Sequence, residues 1–189
     1  MPVAAWMRRL TDESDLWFLA VKSEDAHHFA DAANFYLREA TECVKKNMLV
    51  HAALSCACAA SCLEELDDVA SADRLYSEAA SIHLDNAIRV VGVSIQERLW
   101  SLDRAHVFFL LAHEPQSAGE VHRKKMSLER GDPFIDFGGI VQNPRPNALE
   151  LAKTTELNNS TDKVWILKSI TDFLSARRIQ MERMRKLGA

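Results

Sequence analysis

The chain has 189 residues, of which 48% are hydrophobic and 26% charged, and its net charge is −4. That length allows one domain with a sizeable core or one short repeat array. The mild acidity excludes a strongly basic nucleic-acid binder, though not a local basic patch. Only six Gly and five Pro occur, and Pro133, Pro144 and Pro146 lie close together, so the remainder holds few helix breakers and an all-α chain is expected.

The opening Met1-Pro2-Val3-Ala4-Ala5-Trp6-Met7-Arg8-Arg9 lacks the charged-then-apolar order of a secretory signal. No apolar run approaches the roughly 18 residues needed to cross a bilayer. The expected location is the cytoplasm, where Cys43, Cys56, Cys58 and Cys62 would stay as free thiols. The sequons at Asn158 and Asn159 carry no meaning there.

A first helix is predicted over residues 12–23, with Thr11 as N-cap and acidic residues in the opening turn. A second runs over 26–46 and ends in the basic turn Lys45-Lys46-Asn47. A third covers 49–65, Leu66-Asp67-Asp68 turns the chain, and a fourth covers 69–89. The next, 94–113, is strongly amphipathic, with Ile95, Leu99, Leu102, Ala105 and Phe109 on one side. Glu114-Pro115 opens another helix, since Pro is tolerated in a first turn.

From Arg130 to Asn147 the helical pattern stops, yet Phe134, Ile135, Phe137, Ile140 and Val141 make this Pro/Gly-containing stretch apolar. A short helix is expected over 148–157. Ser160 or Thr161 then caps a last long helix to Lys186, apolar through Trp165, Ile166, Ile170, Phe173 and Leu174 and basic from Arg177 onward. Three segments follow from this: helical hairpins over 1–129, the apolar loop over 130–147, and a capping helical segment over 148–189 that is expected to cover the apolar third hairpin.

Two stretches share one pattern, 40 positions apart. Ala20, Ala32 and Tyr36 of the first correspond to Ala60, Ala72 and Tyr76 of the second. Small residues recur where two antiparallel helices must touch, one aromatic fills the space beside them, and the links are too short for any other packing. Leu at Ala60 or Ala72 is expected to overpack that seam at a cost of about 1–3 kcal/mol. A longer-spaced third unit places Ala118 and His122 at the equivalent positions.

The segment Asp68-Val69-Ala70-Ser71-Ala72-Asp73-Arg74-Leu75-Tyr76-Ser77-Glu78-Ala79 resembles the second helix of tetratricopeptide repeats. Phe29, Ala32 and Tyr36 repeat it less fully, because Glu39 stands where a small residue belongs. The 40-residue spacing is closer to the longer helices of the soluble NSF-attachment proteins, and the segment also looks like the hairpin of microtubule-interacting-and-trafficking domains. The resemblance covers residues 12–126. It implies antiparallel hairpins stacked as a short right-handed solenoid (TPR-like), and a non-enzymatic adaptor that binds a peptide or helix in a concave groove lined by the first helix of each pair.

That register places Trp17, Val21 and Glu24, then Ala57, Ser61, Glu64 and Glu65, then Asp103, Val107 and Leu111 along the groove. Of these, Trp17, Val21, Glu24, Ser61, Glu64, Glu65, Asp103 and Val107 are the predicted partner-binding residues, with Trp17 the expected anchor. The competing placement for Trp17 is packing under Trp6 or the C-terminal helix.

Chemistry is harder to find. His51, Cys58 and Cys62 share one helix face, but a structural zinc site takes four ligands, commonly in close pairs brought together by turns. His27-His28 point about 100° apart on a helix, and His106 and His122 read as core histidines. No phosphate-cradling loop, nucleophile elbow or base-paired thiol appears, and Arg130-Gly131-Asp132 reads as a turn. The expectation is no enzyme, no metal and no cofactor.

Charge is divided along the chain: seven Lys/Arg stand against fourteen Asp/Glu in residues 1–80, and sixteen against thirteen in 81–189. That polarity suits a protein or peptide partner, or a homo-oligomer assembled through the C-terminal helix. Attachment of the basic tail to a membrane or nucleic acid, and a thiol- or metal-dependent enzyme, are the remaining alternatives.

Overall fold

The computed structural model describes residues 15–89, 94–131 and 161–187. Among these, seven helices and no strand occur: α1 (Leu16–Asp25), α2 (Phe29–Lys45), α3 (Leu49–Glu64), α4 (Val69–Arg89), α5 (Ile95–Leu111), α6 (Pro115–Glu129) and α7 (Thr161–Leu187). The all-α expectation holds, and α4 has its predicted bounds. The Thr11 cap, Trp6, the sequons, the apolar loop beyond Gly131 and the short 148–157 helix lie outside the described residues. Within them, Asp15 caps α1, its carboxylate accepting from the Trp17 and Phe18 amides at 2.9 and 3.3 Å.

Each helix packs against the next in sequence from α1 to α6. Four links use one device. His27, Asn47, Asp67 and His113 all adopt left-handed backbone, with φ of 54–59°. The amide after each reaches back five residues, as His28 to Ser23 and Met48 to Cys43, both 2.8 Å. This is the Schellman turn, which satisfies helix-end carbonyls and reverses the chain within three or four residues. Asn, Asp and His tolerate left-handed backbone better than other non-glycine residues, so the turns form without glycine.

The alanine seams are real contacts. Ala20, Ala32, Ala60, Ala72 and Ala118 are all buried, and Cys56 donates its thiol proton across α3–α4 to the Leu75 carbonyl at 3.2 Å. Asn86 of α4 donates to Ser101 of α5 at 2.9 Å and to Glu97 at 3.2 Å. The third hairpin departs from the pattern. His106 stands where α3 has Ala60, in register with the left-handed residues Asp67 and His113, and the larger ring changes the seam. It is only half-buried, donating Nδ1–H to the Ala118 carbonyl at 3.0 Å, and His122 is exposed rather than inward.

The last helix is not where the sequence suggested. α7 lies against α2 and reaches α4 rather than covering the third hairpin. Its buried stripe, Ile166, Ile170, Phe173, Arg177 and Gln180, repeats every three or four residues. Ser169 donates to Asn34 of α2. Arg177, only 1% exposed, pairs with Asp85 of α4, bonds Gln180, and lies 3.9 Å from Glu78. A buried guanidinium requires such partners, and both carboxylates are on α4, which fixes where α7 can sit.

Candidate functional site

The first helices α1 and α3 present a shared face. At one end lies a cleft of about 270 Å³ whose walls are Trp17 and Phe18 of α1, Glu39 of α2, and His51, Leu54 and Ser55 of α3, with Asp15 at its rim. Trp17 is half-buried, and its ring meets Tyr36 edge-on at 5.2 Å. Leu54 is 47% exposed, while Ser55 is 1% exposed and its hydroxyl has no hydrogen-bond partner among the described residues.

Toward the other end the face turns acidic. Tyr36 donates its hydroxyl to Glu24 at 2.7 Å, and Tyr76 donates to Glu64 at 2.8 Å, so the 40-residue period is repeated as a hydrogen bond. Burial, then the carboxylate acceptor, pushes both phenols well above their ordinary range. Burial, then the negative charge of Glu24, raises the Cys58 thiol to about 11 and the Cys62 thiol to about 12. Cys56 is raised well above its usual value, by burial first and Glu78 second. Thiols held protonated are poor nucleophiles and poor metal ligands.

The structure brings some of the predicted residues together and separates others. Trp17, Val21 and Glu24 lie on α1, and Ser61 and Glu64 on α3 with Glu65 at its C-cap; Ser61, Glu64 and Glu65 are exposed. Ala57, expected along the groove, is instead buried in the core. On α5, Val107 is half-buried and Leu111 exposed, but the Asp103 carboxylate is taken by Lys125 of α6 at 2.7 Å and Arg104 at 2.8 Å. Those cations hold its carboxyl below the usual range. Asp103 therefore adds no free negative charge.

Phe18, Leu54 and Ser55 were missed. The signal for Leu54 was present: Leu49, Ala53, Cys56, Ala60 and Leu63 take the inward positions of α3, which leaves Leu54 as a large apolar side chain on the outer side of a small-residue helix. The unpartnered hydroxyl of Ser55 had no sequence signal.

A larger cleft of about 800 Å³ separates α2 from α7. Arg38, Lys45 and Arg183 line it together with Glu42 and Asp172, so it offers both signs of charge and no aromatic anchor. Between α4 and α5, His83 stacks on Phe108 at 5.6 Å and meets Trp100 edge-on at 5.2 Å. Burial first and Arg104 second lower its pKa to about 4.

Among the described residues no three His, Cys, Asp or Glu side chains converge as a metal site, and no helix is long and apolar enough to cross a membrane. No protein-family model matches the chain, and neither the curated proteins nor the solved structures include a significant match to it.

Proposed function

We propose that the chain is a TPR-like helical-repeat adaptor, without catalytic activity, which holds a peptide or helix of a partner protein along the face made by α1 and α3. The observation that carries this reading is the Trp17–Leu54 cleft, an open apolar hollow between the first helices of two equivalent hairpins. Repetition of the Tyr–Glu bond 40 residues apart supports the equivalence of those hairpins. Large aromatic side chains at such hollows typically carry most of the binding energy. The raised thiols of α3 favour a packing role over nucleophilic chemistry.

The test is capture of peptides from a displayed random library by the full chain. Peptides enriched on it are expected to lose affinity about tenfold or more with Leu54→Ser, a change at an exposed position, and with Trp17→Ala. The pair Trp17→Ala and Glu64→Lys should weaken capture while the helical circular dichroism stays unchanged. Unaltered capture by all these variants excludes the face.

A second reading, a homo-oligomer joined through α7, is favoured by Val164 and Trp165, which are 66% and 64% exposed at the start of that helix. Sedimentation that is independent of concentration and of Trp165→Ser removes it.

A further inference from the structure

We infer that the partner segment for the α1–α3 face is basic and amphipathic, seating one apolar side chain in the Trp17–Leu54 cleft and Lys or Arg side chains over Glu24, Glu64 and Glu65. The inference rests on the reading of this face as a peptide-binding surface and names the chemistry of its occupant.

Charge is the first ground. Lys22 is the sole Lys or Arg of α1 and α3, against Glu24, Asp25 and Glu64 within those helices and Glu65 just beyond α3. Further along, the one acid predicted for the face on α5, Asp103, is already neutralised by Lys125 and Arg104. Among the described residues no Lys or Arg pairs with Glu24, Glu64 or Glu65, and a cationic segment complements that negative charge there.

Ser55 is the second ground. A buried hydroxyl without a partner costs free energy, and native proteins seldom leave one. Ser55 lines the cleft, and its hydroxyl oxygen lies beneath that wall, buried and without a hydrogen-bond partner among the described residues. A backbone amide or carbonyl of the bound segment reaching the Ser55 hydroxyl would satisfy it. An apolar anchor and a polar contact would then coincide in one hollow, as in most sites that fix the register of a ligand.

The spacing follows from helix geometry. Trp17 and Glu24 are separated by about 10 Å along α1, and Leu54 and Glu64 by about 15 Å along α3, at 1.5 Å per residue. A helical partner therefore carries its basic residues about seven to ten positions from the anchor. An extended partner carries them about three to five positions away.

Sequencing of the library peptides enriched on the full chain decides the matter. The expected motif pairs one large apolar residue with Lys or Arg at one of those spacings. Binding should fall about tenfold in the triple variant Glu24→Gln, Glu64→Gln, Glu65→Gln, and also on raising salt from roughly 0.05 to 0.5 M. Glutamine keeps an acceptor for both tyrosine hydroxyls, so circular dichroism should not change. Enriched peptides that need Leu54 yet are acidic or uncharged overturn the basic partner and leave the groove standing. Enrichment indifferent to both Leu54→Ser and Trp17→Ala, or none at all, overturns the groove with it. Self-association of the chain that disappears with Leu54→Ser assigns the face to a second copy and likewise overturns the inference.

Discussion

The Tyr76 hydroxyl donates to Glu64 Oε2 at 2.8 Å across the α3–α4 hairpin, and Tyr36 makes the same bond to Glu24 at 2.7 Å one hairpin earlier. In both cases the phenol lies beside an alanine seam and the carboxylate sits at the end of the preceding helix. The bond fixes the angle at which each hairpin closes. It also holds the Glu24 and Glu64 carboxylates beside the buried phenol rings.

Removal of either hydroxyl should therefore cost a similar amount. Tyr36→Phe and Tyr76→Phe are each expected to lower stability by about 1 kcal/mol in urea unfolding. The phenols also have a pH consequence. Both are raised above their ordinary value by burial and then by the carboxylate, so they contribute stability that is complete below about pH 10. That stability is lost as pH rises toward the folded-state values. Because the chain has only two tyrosines, phenolate absorbance reads them directly: titration should be delayed in the native chain and return to the ordinary range in denaturant.

Arg177 should be the most sensitive single position of α7. Arg177→Met leaves Asp85 without its guanidinium and Glu78 paired with Arg74, and breaking a buried ion pair on one side costs roughly 3–5 kcal/mol. Hydrogen exchange should show α7 losing protection before α3 and α4 do. A variant whose exchange and unfolding midpoint match the parent chain would rule out the clamp.

His83 makes acid a stress on the α4–α5 contact. Its folded pKa of about 4 lies below the ordinary 6.5, so the folded chain holds it neutral. The stability it contributes is complete above pH 6.5 and falls away as pH drops toward 4. His83→Phe keeps the stacking on Phe108 without a titrating group. That variant should lose less stability than the parent over the same interval, measured by denaturant midpoints at successive pH values.

The left-handed turns predict an asymmetric response. Asp67→Gly should be neutral or stabilising by about 0.5 kcal/mol, because glycine adopts positive φ without steric cost. Asp67→Val should destabilise by about 1–2 kcal/mol, since a β-branched side chain crowds the carbonyl in that conformation. Thermal unfolding of the pair checks both. Equal effects from Gly and Val would remove the backbone explanation.

What the sequence disclosed was local. The bounds of α4, the proline at the first turn of α6 and the small-residue seam at Ala20, Ala32, Ala60 and Ala72 all follow from periodicity and chain reversal. The turns were legible in principle, as Asn47 and Asp67 are residue types suited to positive φ. Arg177 was not legible. Within a run of cations it reads as a solvated helix end, and only partners more than ninety positions earlier, Asp85 among them, make it a core residue. Asp103 fails for the same reason in reverse: its position on α5 suggests the groove, and Lys125 on the next helix takes its charge. The α1–α3 residues Trp17, Glu24, Ser61, Glu64 and Glu65 were placed by the repeat register, but Ser55 acquires its interest only from the shape around it.

The return of α7 to α2 bears on how the molecule is made. Ser169 meets Asn34 across 135 positions of sequence, so a chain emerging from the ribosome exposes the outer surface of its second helix until α7 has been synthesised. Early hairpins can fold as they appear, but they remain unsealed. Chaperone demand and aggregation should then persist until α7 emerges, and loss of that helix should do more harm than its length suggests.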